Sequence, residues 1–167
     1  KIIAKAEELA LTGGNVLDRH FTLSEKIVIY YRERETSPEA MEKAVQACRE
    51  QVAMAPEAAK AFLKEYPWQA LPAHAGYRQL RIILEKQGKY DEAFGLAESF
   101  TFIAPPYWQW TAEELEQKSP FEKERHRIFL KDNPEFQKLL KDLIAISQKI
   151  GDTEKEAFYS TALTRFP

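Results

Sequence analysis

Apolar positions recur every three or four residues along most of this chain, and polar or charged positions fill the intervals between them. Residues 21–34 show this spacing at Leu23, Ile27 and Tyr30. The same period continues through residues 39–54, and a period near 3.6 is typical of amphipathic helices. No alternating segment typical of a strand and no Asn-Gly hairpin signal interrupts it. The pattern therefore predicts about ten helices and an all-α fold.

Signals that start and stop helices divide this pattern into segments. Thr12-Gly13-Gly14-Asn15 ends a first predicted helix over residues 1–11. Ser37 and Pro38 suit an N-cap and a first helical position. Other predicted boundaries are Pro56 as the end of helix 39–54, capping boxes at residues 111–114 and 119–122, Asn133-Pro134 before the last long helix, Gly151 after it, and a final helix from 153 to 164.

The most regular part of the pattern is residues 77–105, which read YRQLRIILEKQGKYDEAFGLAESFTFIAP. A first helix leads into a glycine turn, and a second helix ends before a proline. Glycine lets the chain reverse where a side chain would be costly, and a small residue lets two helices approach closely. The positions that carry this pattern are Tyr77, Leu80, Leu84, Gly88, Tyr90, Ala93 and Pro105.

These residues resemble the tetratricopeptide repeat (TPR), a helix–turn–helix unit of about 34 residues that stacks on its neighbours. The best unit spans residues 74–105, and degenerate units at about 21–56 and 134–167 resemble it more weakly. Arg81 departs from the family pattern, which prefers Gly or Ala there. The resemblance, which extends to small uncharacterised bacterial TPR-like proteins, implies an irregular TPR-like, right-handed superhelical stack of antiparallel helix pairs. We expect a single domain over residues 1–167.

TPR modules usually bind proteins or peptides, and the first helix of each pair lines the concave wall of the stack. The resemblance therefore implies a non-catalytic scaffold that buries a partner segment against this wall. Ile82 stands where chaperone-binding TPR modules have an asparagine, so a clamp for a C-terminal carboxylate is not expected. The candidate partner-binding residues are Tyr30, Arg78, Ile82, Glu85, Lys86, Trp108, Trp110 and Lys141.

The aromatic loop at residues 104–110 has two interpretations. Trp108 or Trp110 is either a plug that covers an exposed helix end, or an anchor for a partner, since Trp and Tyr are enriched among interface hot spots. The sequence leaves both interpretations open.

Composition narrows the classes of function. Apolar residues make up 44% and charged residues 30% of the 167 residues, as in ordinary globular proteins. A net charge of −2 argues against a nucleic-acid binder, which would carry a basic excess. No apolar run approaches the roughly 20 residues of a membrane span, and no signal segment is present. The single Cys48 cannot form an internal disulfide and is expected as a small buried helix residue, which fits a cytoplasmic protein.

Motifs of catalysis are missing from the sequence. The three histidines, His20, His74 and His126, fall on separate predicted elements, and none has metal-ligand spacing such as HExxH. No nucleophile elbow, phosphate loop or dinucleotide fingerprint occurs. We therefore predict no catalytic residues, no cofactor and no metal.

Two alternatives to a binding scaffold stay open at this point. One is a structural or oligomerisation domain, in which exposed stripes pair with a second copy of the chain. The other is a regulatory domain of a larger enzyme, which is compatible with a chain that begins at Lys1 rather than Met. The identity of the partner, the pathway and the oligomeric state do not follow from the sequence.

Overall fold

The computed structural model describes residues 14–167, and that range is built from helices. No strand occurs within it, so the all-α prediction is confirmed there. The helix predicted for residues 1–11 lies outside the described residues. The α-helices are α1 (Val16–Arg32), α2 (Pro38–Ala53), α3 (Ala55–Glu65), α4 (Ala75–Lys86), α5 (Tyr90–Thr101), α6 (Ala112–Glu116), α7 (Pro120–Lys131), α8 (Pro134–Ile150) and α9 (Thr153–Leu163), with a 3₁₀ helix (Pro106–Gln109) between α5 and α6.

Helix α1 starts five residues before the predicted boundary at residue 21 (21 − 16 = 5). Asn15 is its N-cap, and the Asn15 side-chain oxygen accepts a hydrogen bond of 3.0 Å from the Asp18 amide. The Asp18 carboxylate accepts a bond of 3.2 Å from the Asn15 amide in return. Asn15 was interpreted as part of a breaker, but this reciprocal pair makes it the start of the helix.

The boundary between α2 and α3 also differs from the sequence prediction. Helix α2 ends at Ala53, and only Met54 separates it from α3, so Pro56 is the second residue of the new helix. A proline costs no hydrogen bond there, because the first amides of a helix have no intrahelical acceptor. Ser37 takes the N-cap position of α2, but its side chain makes no capping bond.

The predicted boundaries at residues 111–114, 119–122, 133–134 and 151 are confirmed, and the last helix ends one residue before the predicted residue 164. Thr111 with Glu114, and Ser119 with Glu122, each form the full capping box at the starts of α6 and α7. Gly151 ends α8 in the left-handed region with φ of 81°, a conformation in which a Cβ atom is unfavourable.

The chain forms two compact units. The first comprises Lys1–Glu65 and Ala73–Gln87, described from residue 14 onward, and the second comprises Tyr66–Pro72 and Gly88–Pro167. The predicted best repeat, residues 74–105, is thereby divided, since α4 belongs to the first unit and α5 to the second. The single-domain prediction for residues 1–167 stays a prediction.

In the first unit, α1 and α2 form a close pair, and α4 packs against both of them. Helix α3 packs mainly against α1. Helix α1 buries Leu23 and Ile27, whereas α2 and α3 bury mainly alanines. Larger side chains at the alanine positions would hold the helices apart. The buried apolar residues of this unit are Leu23, Ile27, Ala40, Ala44, Ala47, Cys48, Ala55, Ala58, Ala59, Leu80, Ile83 and Leu84.

In the second unit, α8 is the central element and packs against both α5 and α9. Its residues Leu140, Leu143 and Ile146 are fully enclosed. Ala93 and Ala97 on α5 are also fully enclosed, and their small side chains allow α5 and α8 to approach closely. Helix α7 packs beside the 3₁₀ helix, and the Phe129 ring of α7 contacts the Tyr107 ring of the 3₁₀ helix.

Candidate functional site

Five of the eight candidate partner-binding residues lie in the first unit, on α1 and α4. The core side of α4 is formed by Leu80, Ile83 and Leu84. Arg78, Ile82 and Lys86 follow one another at intervals of one turn and so share another face of the same helix. Arg78 and Lys86 are exposed and Ile82 is half-buried. Tyr30 on α1 and Glu85 on α4 are half-buried, and Glu85 forms an ion pair with Arg81 one turn earlier.

The end of α4 meets the end of α1 through polar and aromatic groups. The Lys86 ammonium donates a hydrogen bond to the Tyr31 hydroxyl over 3.4 Å. The Arg34 guanidinium lies 4.1 Å from the centre of the Tyr31 ring, and Arg34 Nη1 donates to the Tyr31 carbonyl over 2.7 Å. We call Tyr31, Arg34 and Lys86 the basic–aromatic cluster. The structure thus brings the predicted Lys86 together with two residues that were not on the predicted list.

The remaining three candidates lie in the second unit and in different surroundings. Trp108 is 3% exposed and packs against Phe136, Phe158 and Tyr159, so its side chain belongs to the core. Trp110 is half-buried, and Lys141 is exposed on α8. No described contact joins Lys141 to either tryptophan.

Trp108 and Trp110 take different roles in the aromatic loop. Arg165 Nη1 donates a hydrogen bond of 2.6 Å to the Trp108 carbonyl, which fixes the loop to the end of the chain. Trp110 stacks on His126 with ring centres 5.8 Å apart, and the Lys118 ammonium lies 4.5 Å from the centre of the Trp110 ring. The Trp108 side chain is buried among aromatic rings, and Trp110 keeps part of its surface open.

A polar cluster is buried in the first unit among the apolar residues. Gln51 on α2 is fully buried, and its Nε2 donates to the His20 carbonyl over 2.9 Å and to the Ser24 hydroxyl over 2.6 Å. Its Oε1 accepts a bond of 2.6 Å from the Gly76 amide at the start of α4. One side chain therefore ties α1, α2 and α4 together.

Two imidazoles complete this polar cluster. His74 is the N-cap of α4, and its Nδ1 accepts a bond of 3.0 Å from the Tyr77 amide. The ring of His20 on α1 lies edge-on to it, with ring centres 5.1 Å apart. His20 is 7% exposed, and its Nδ1 is buried with no hydrogen-bond partner among residues 14–167. We call His20, His74 and Gln51 the histidine cluster.

Burial controls the protonation of these groups. It lowers the pKa of His20, and burial followed by repulsion from His20 lowers the pKa of His74 to about 4. Burial also raises the pKa of the Cys48 thiol to about 11. Both imidazoles and the thiol are therefore neutral near pH 7, and Cys48 is the small buried helix residue that the sequence predicted.

The hydrogen bond that caps α4 also fixes the tautomer of His74. A neutral imidazole has one protonated and one unprotonated nitrogen, and Nδ1 must be unprotonated to accept the Tyr77 amide. The proton therefore resides on Nε2, so neither nitrogen offers a free lone pair to a metal while the cap is formed. In the part of the chain that the structure describes, no three His, Cys, Asp or Glu side chains are placed to hold a metal ion.

Sequence reasoning missed the meeting of His20 with His74, although a signal for it exists. His20 precedes Leu23 and Ile27 by three and seven residues, the spacing of the buried stripe of α1. Gln51 follows Ala44 and Cys48 by seven and three residues, the spacing of the buried stripe of α2. The stripes indicate that both polar residues face the core, but they do not indicate which groups they meet there.

Comparison with protein-family models, with curated proteins and with solved structures finds no significant match to this chain. Over residues 14–167, no helix has both the length and the apolar character that crossing a membrane requires. The helices of residues 14–167 define the class of this protein as all-α.

Proposed function

We propose that this chain is a non-catalytic scaffold that binds a protein or peptide segment along a TPR-like helical stack. The packing of α4 against both helices of the α1–α2 pair supports this proposal, because repeat proteins stack each new unit on the pair before it. Trp110 and Lys141 are proposed as further contacts of the second unit.

The basic–aromatic cluster is the observation that carries the proposal. It joins α1 to α4 at the end of both helices, and Ile82 and Arg78 continue from Lys86 along α4. We call the surface formed by Tyr31, Arg34, Arg78, Ile82 and Lys86 the α1–α4 surface. It combines an aromatic ring, an aliphatic side chain and three cations, and aromatic and arginine side chains are those most enriched at binding hot spots.

The charge of the α1–α4 surface favours an acidic partner segment. Within residues 14–167, Arg78 and Lys86 form no ion pair. Arg34 pairs with Glu35 over 3.4 Å, and Glu35 is well exposed, so that pair contributes little. The net charge of the surface is positive although the whole chain carries −2. Charge complementarity of this kind directs partner choice and association rate.

A peptide array tests the proposal directly. The purified chain is probed against random peptides, and the affinities of the selected peptides are measured by fluorescence anisotropy. We expect selected peptides to be rich in Asp and Glu and to bind more weakly as salt is raised. The double reversal Arg78→Glu with Lys86→Glu is expected to weaken binding by at least about tenfold, since two attractions become repulsions.

A matched control separates this surface from a general effect of charge. Lys60 and Lys64 on α3 are exposed in the same unit, and Lys60→Glu with Lys64→Glu changes the net charge equally. This control is expected to bind within about twofold of the wild type, because the two lysines lie outside the α1–α4 surface. Equal weakening by both double variants, or selection of no peptide at all, would refute the assignment.

A further inference from the structure

We propose that the histidine cluster is an acid-sensitive latch, which holds the start of helix α4 against α1 and α2 while both imidazoles are neutral. The latch does not depend on the proposed function, because it concerns the packing of the first unit alone. Three structural features carry the inference: the capping bond on His74, the approach of His20 to that ring, and the Gln51 bonds that join the three helices.

The first feature links a titratable atom to a helix terminus. His74 Nδ1 is the only atom of its side chain placed to accept the Tyr77 amide, at 3.0 Å. A proton that binds His74 must occupy this same nitrogen, since Nε2 already carries one. The amide and the protonated nitrogen are then two donors facing each other, and the capping bond is lost. Capping bonds typically contribute to helix stability at the level of a single hydrogen bond.

The second feature makes a charged pair unfavourable. The ring centres of His20 and His74 are 5.1 Å apart, and His20 is buried. A proton on either ring places a cation in an apolar site, and a second proton adds repulsion between like charges. Protonation therefore favours any state in which the two rings separate and reach water.

Among residues 14–167, no carboxylate contributes to the shifted pKa of His20 or of His74. Helix α2 contributes Gln51 and Cys48, which are neutral, and α3 buries only alanines. Burial and repulsion from the His20 ring lower the pKa of His74, and the smaller effect of hydrogen bonds with the Gln51 and His74 backbones opposes them by raising it. Charged residues that are close in sequence, all of them exposed, are Asp18, Arg19, Arg49, Glu50 and Arg78.

The third feature couples the loss of the capping bond to the contacts of α4 with α1 and α2. The Gly76 amide, two residues after His74, donates to Gln51 over 2.6 Å, and Gln51 in turn holds the His20 carbonyl. Displacement of the α4 terminus breaks the Gly76 bond and leaves Gln51 partly unsatisfied in the core. Cys48 lies one turn before Gln51 on the buried face of α2, and its carbonyl oxygen would lie 2.9 Å from a Cβ atom on Gly76. Opening of the latch is therefore expected to expose the Cys48 thiol.

The direction of the pH effect follows from the folded and open pKa values of His74. The folded value is about 4 and the ordinary value is 6.5, so the open state binds more protons between these limits. The latch is fully closed above the ordinary pKa and weakens as the pH falls toward the folded pKa. On this basis His74 alone increases the opening equilibrium about 30-fold between about pH 7.5 and pH 5.

Two native probes report on the two units separately. Cys48 is the only cysteine and lies in the first unit, whereas Trp68, Trp108 and Trp110 all lie in the second. The rate at which a dipyridyl disulfide modifies Cys48 is measured against pH and divided by the rate for the urea-unfolded chain at the same pH. We expect this relative rate to rise about 30-fold from about pH 7.5 to pH 5, with the wavelength of maximum tryptophan emission unchanged.

Two variants distinguish the latch from general acid sensitivity. His74→Asn keeps a side chain that caps helices well but does not titrate, so the rise in Cys48 reactivity should be clearly smaller than in the wild type, because only His20 still titrates in the cluster. His126→Gln removes the remaining histidine, in the second unit, and should leave the full rise. An equal rise in His74→Asn and wild type, or no rise in wild type, would overturn the proposal.

A measurement on the wild-type chain covers the case in which His74→Asn does not fold. The ring protons of His20 and His74 are followed by NMR as the pH is lowered, with His126 as an internal reference. The latch requires His74 to titrate well below pH 6.5, together with loss of its contact to His20. Titration of both rings near their ordinary pKa with the contact retained would rule it out.

Discussion

At the scale of single residues, Gly76 marks a close approach of α4 to α2. A Cβ atom placed there would lie 2.8 Å from Gln51 Oε1 and 2.9 Å from the Cys48 carbonyl oxygen. The backbone of α2 cannot shift easily at this point, because Cys48 is a fully buried residue within the helix. Glycine is therefore required at this position by the close approach of α4 to α2.

This close approach predicts that adding a single methyl group at residue 76 lowers the stability of the chain. Gly76→Ala is expected to destabilise the chain by about 1–3 kcal/mol, the usual cost of overpacking a core. The free energy of unfolding is measured by urea denaturation followed by circular dichroism.

Gly95 provides the control for this prediction. It lies within α5, and a Cβ atom there would meet nothing within 4 Å. Gly95→Ala is expected to leave stability unchanged or raise it by up to about 1 kcal/mol, because alanine is the better helix former. Equal effects of the two substitutions would contradict the close approach at Gly76.

At the scale of helices, the termini show which local signals the chain uses. The hydrogen bonds of Ser119 with Glu122, and of Thr111 with Glu114, lower the pKa of both glutamates, so these caps are fully formed with ionised carboxylates. Ser37 has the same residue type at the N-cap of α2, yet its hydroxyl makes no capping bond. Residue type alone therefore does not predict how much a cap contributes.

The two serines give a matched pair of substitutions. Ser119→Ala is expected to destabilise the chain by about 1 kcal/mol, because it leaves the Glu122 amide without its acceptor. Ser37→Ala removes no capping bond and is expected to change stability by less than about 0.5 kcal/mol. Thermal unfolding at neutral pH measures both. A larger loss in Ser37→Ala than in Ser119→Ala would contradict the capping assignments.

At the scale of the whole molecule, the chain is organised as two compact units with different cores. The first relies on alanines and one polar network, and the second relies on α8 and a group of aromatic rings. In the second unit, Phe129, Phe136 and Phe166 contact one another around the loop that carries Trp108. Tyr159 adds a hydrogen bond of 2.9 Å to Glu98, and burial followed by this bond raises the pKa of Tyr159.

Because the two cores are separate, we expect a substitution that destabilises one unit to be detected most strongly by the probe in that unit, which is Cys48 for the first unit and tryptophan emission for the second. Gln51→Met removes the three hydrogen bonds of this buried side chain and leaves the Gly76 amide without its acceptor, which typically costs about 1–3 kcal/mol. We expect the urea midpoint reported by Cys48 reactivity to fall more than the midpoint reported by tryptophan emission. Identical shifts of both midpoints would show that the chain unfolds as one cooperative body.

Much of the secondary structure could be predicted from the sequence because its causes are local. Helical spacing of apolar residues, the capping boxes at Thr111 and Ser119, and Gly151 after α8 each act within a few residues of chain. The errors are also local in origin. Asn15 and Pro56 are compatible both with a break and with a helix start, and the reciprocal bond to Asp18 decided the first case.

For the candidate site, too, the sequence predicted the local features and the tertiary structure decided the contacts between helices. The sequence by itself determined the all-α class and placed Arg78, Ile82 and Lys86 on one face of one helix, since helix geometry fixes side chains that are four residues apart. Only the tertiary structure decided that Lys86 reaches Tyr31, that Trp108 lies in a core, and that His20 meets His74 across 54 residues of chain (74 − 20 = 54). Such meetings depend on how helices pack, and an amphipathic stripe specifies which face is buried but not which partner buries it.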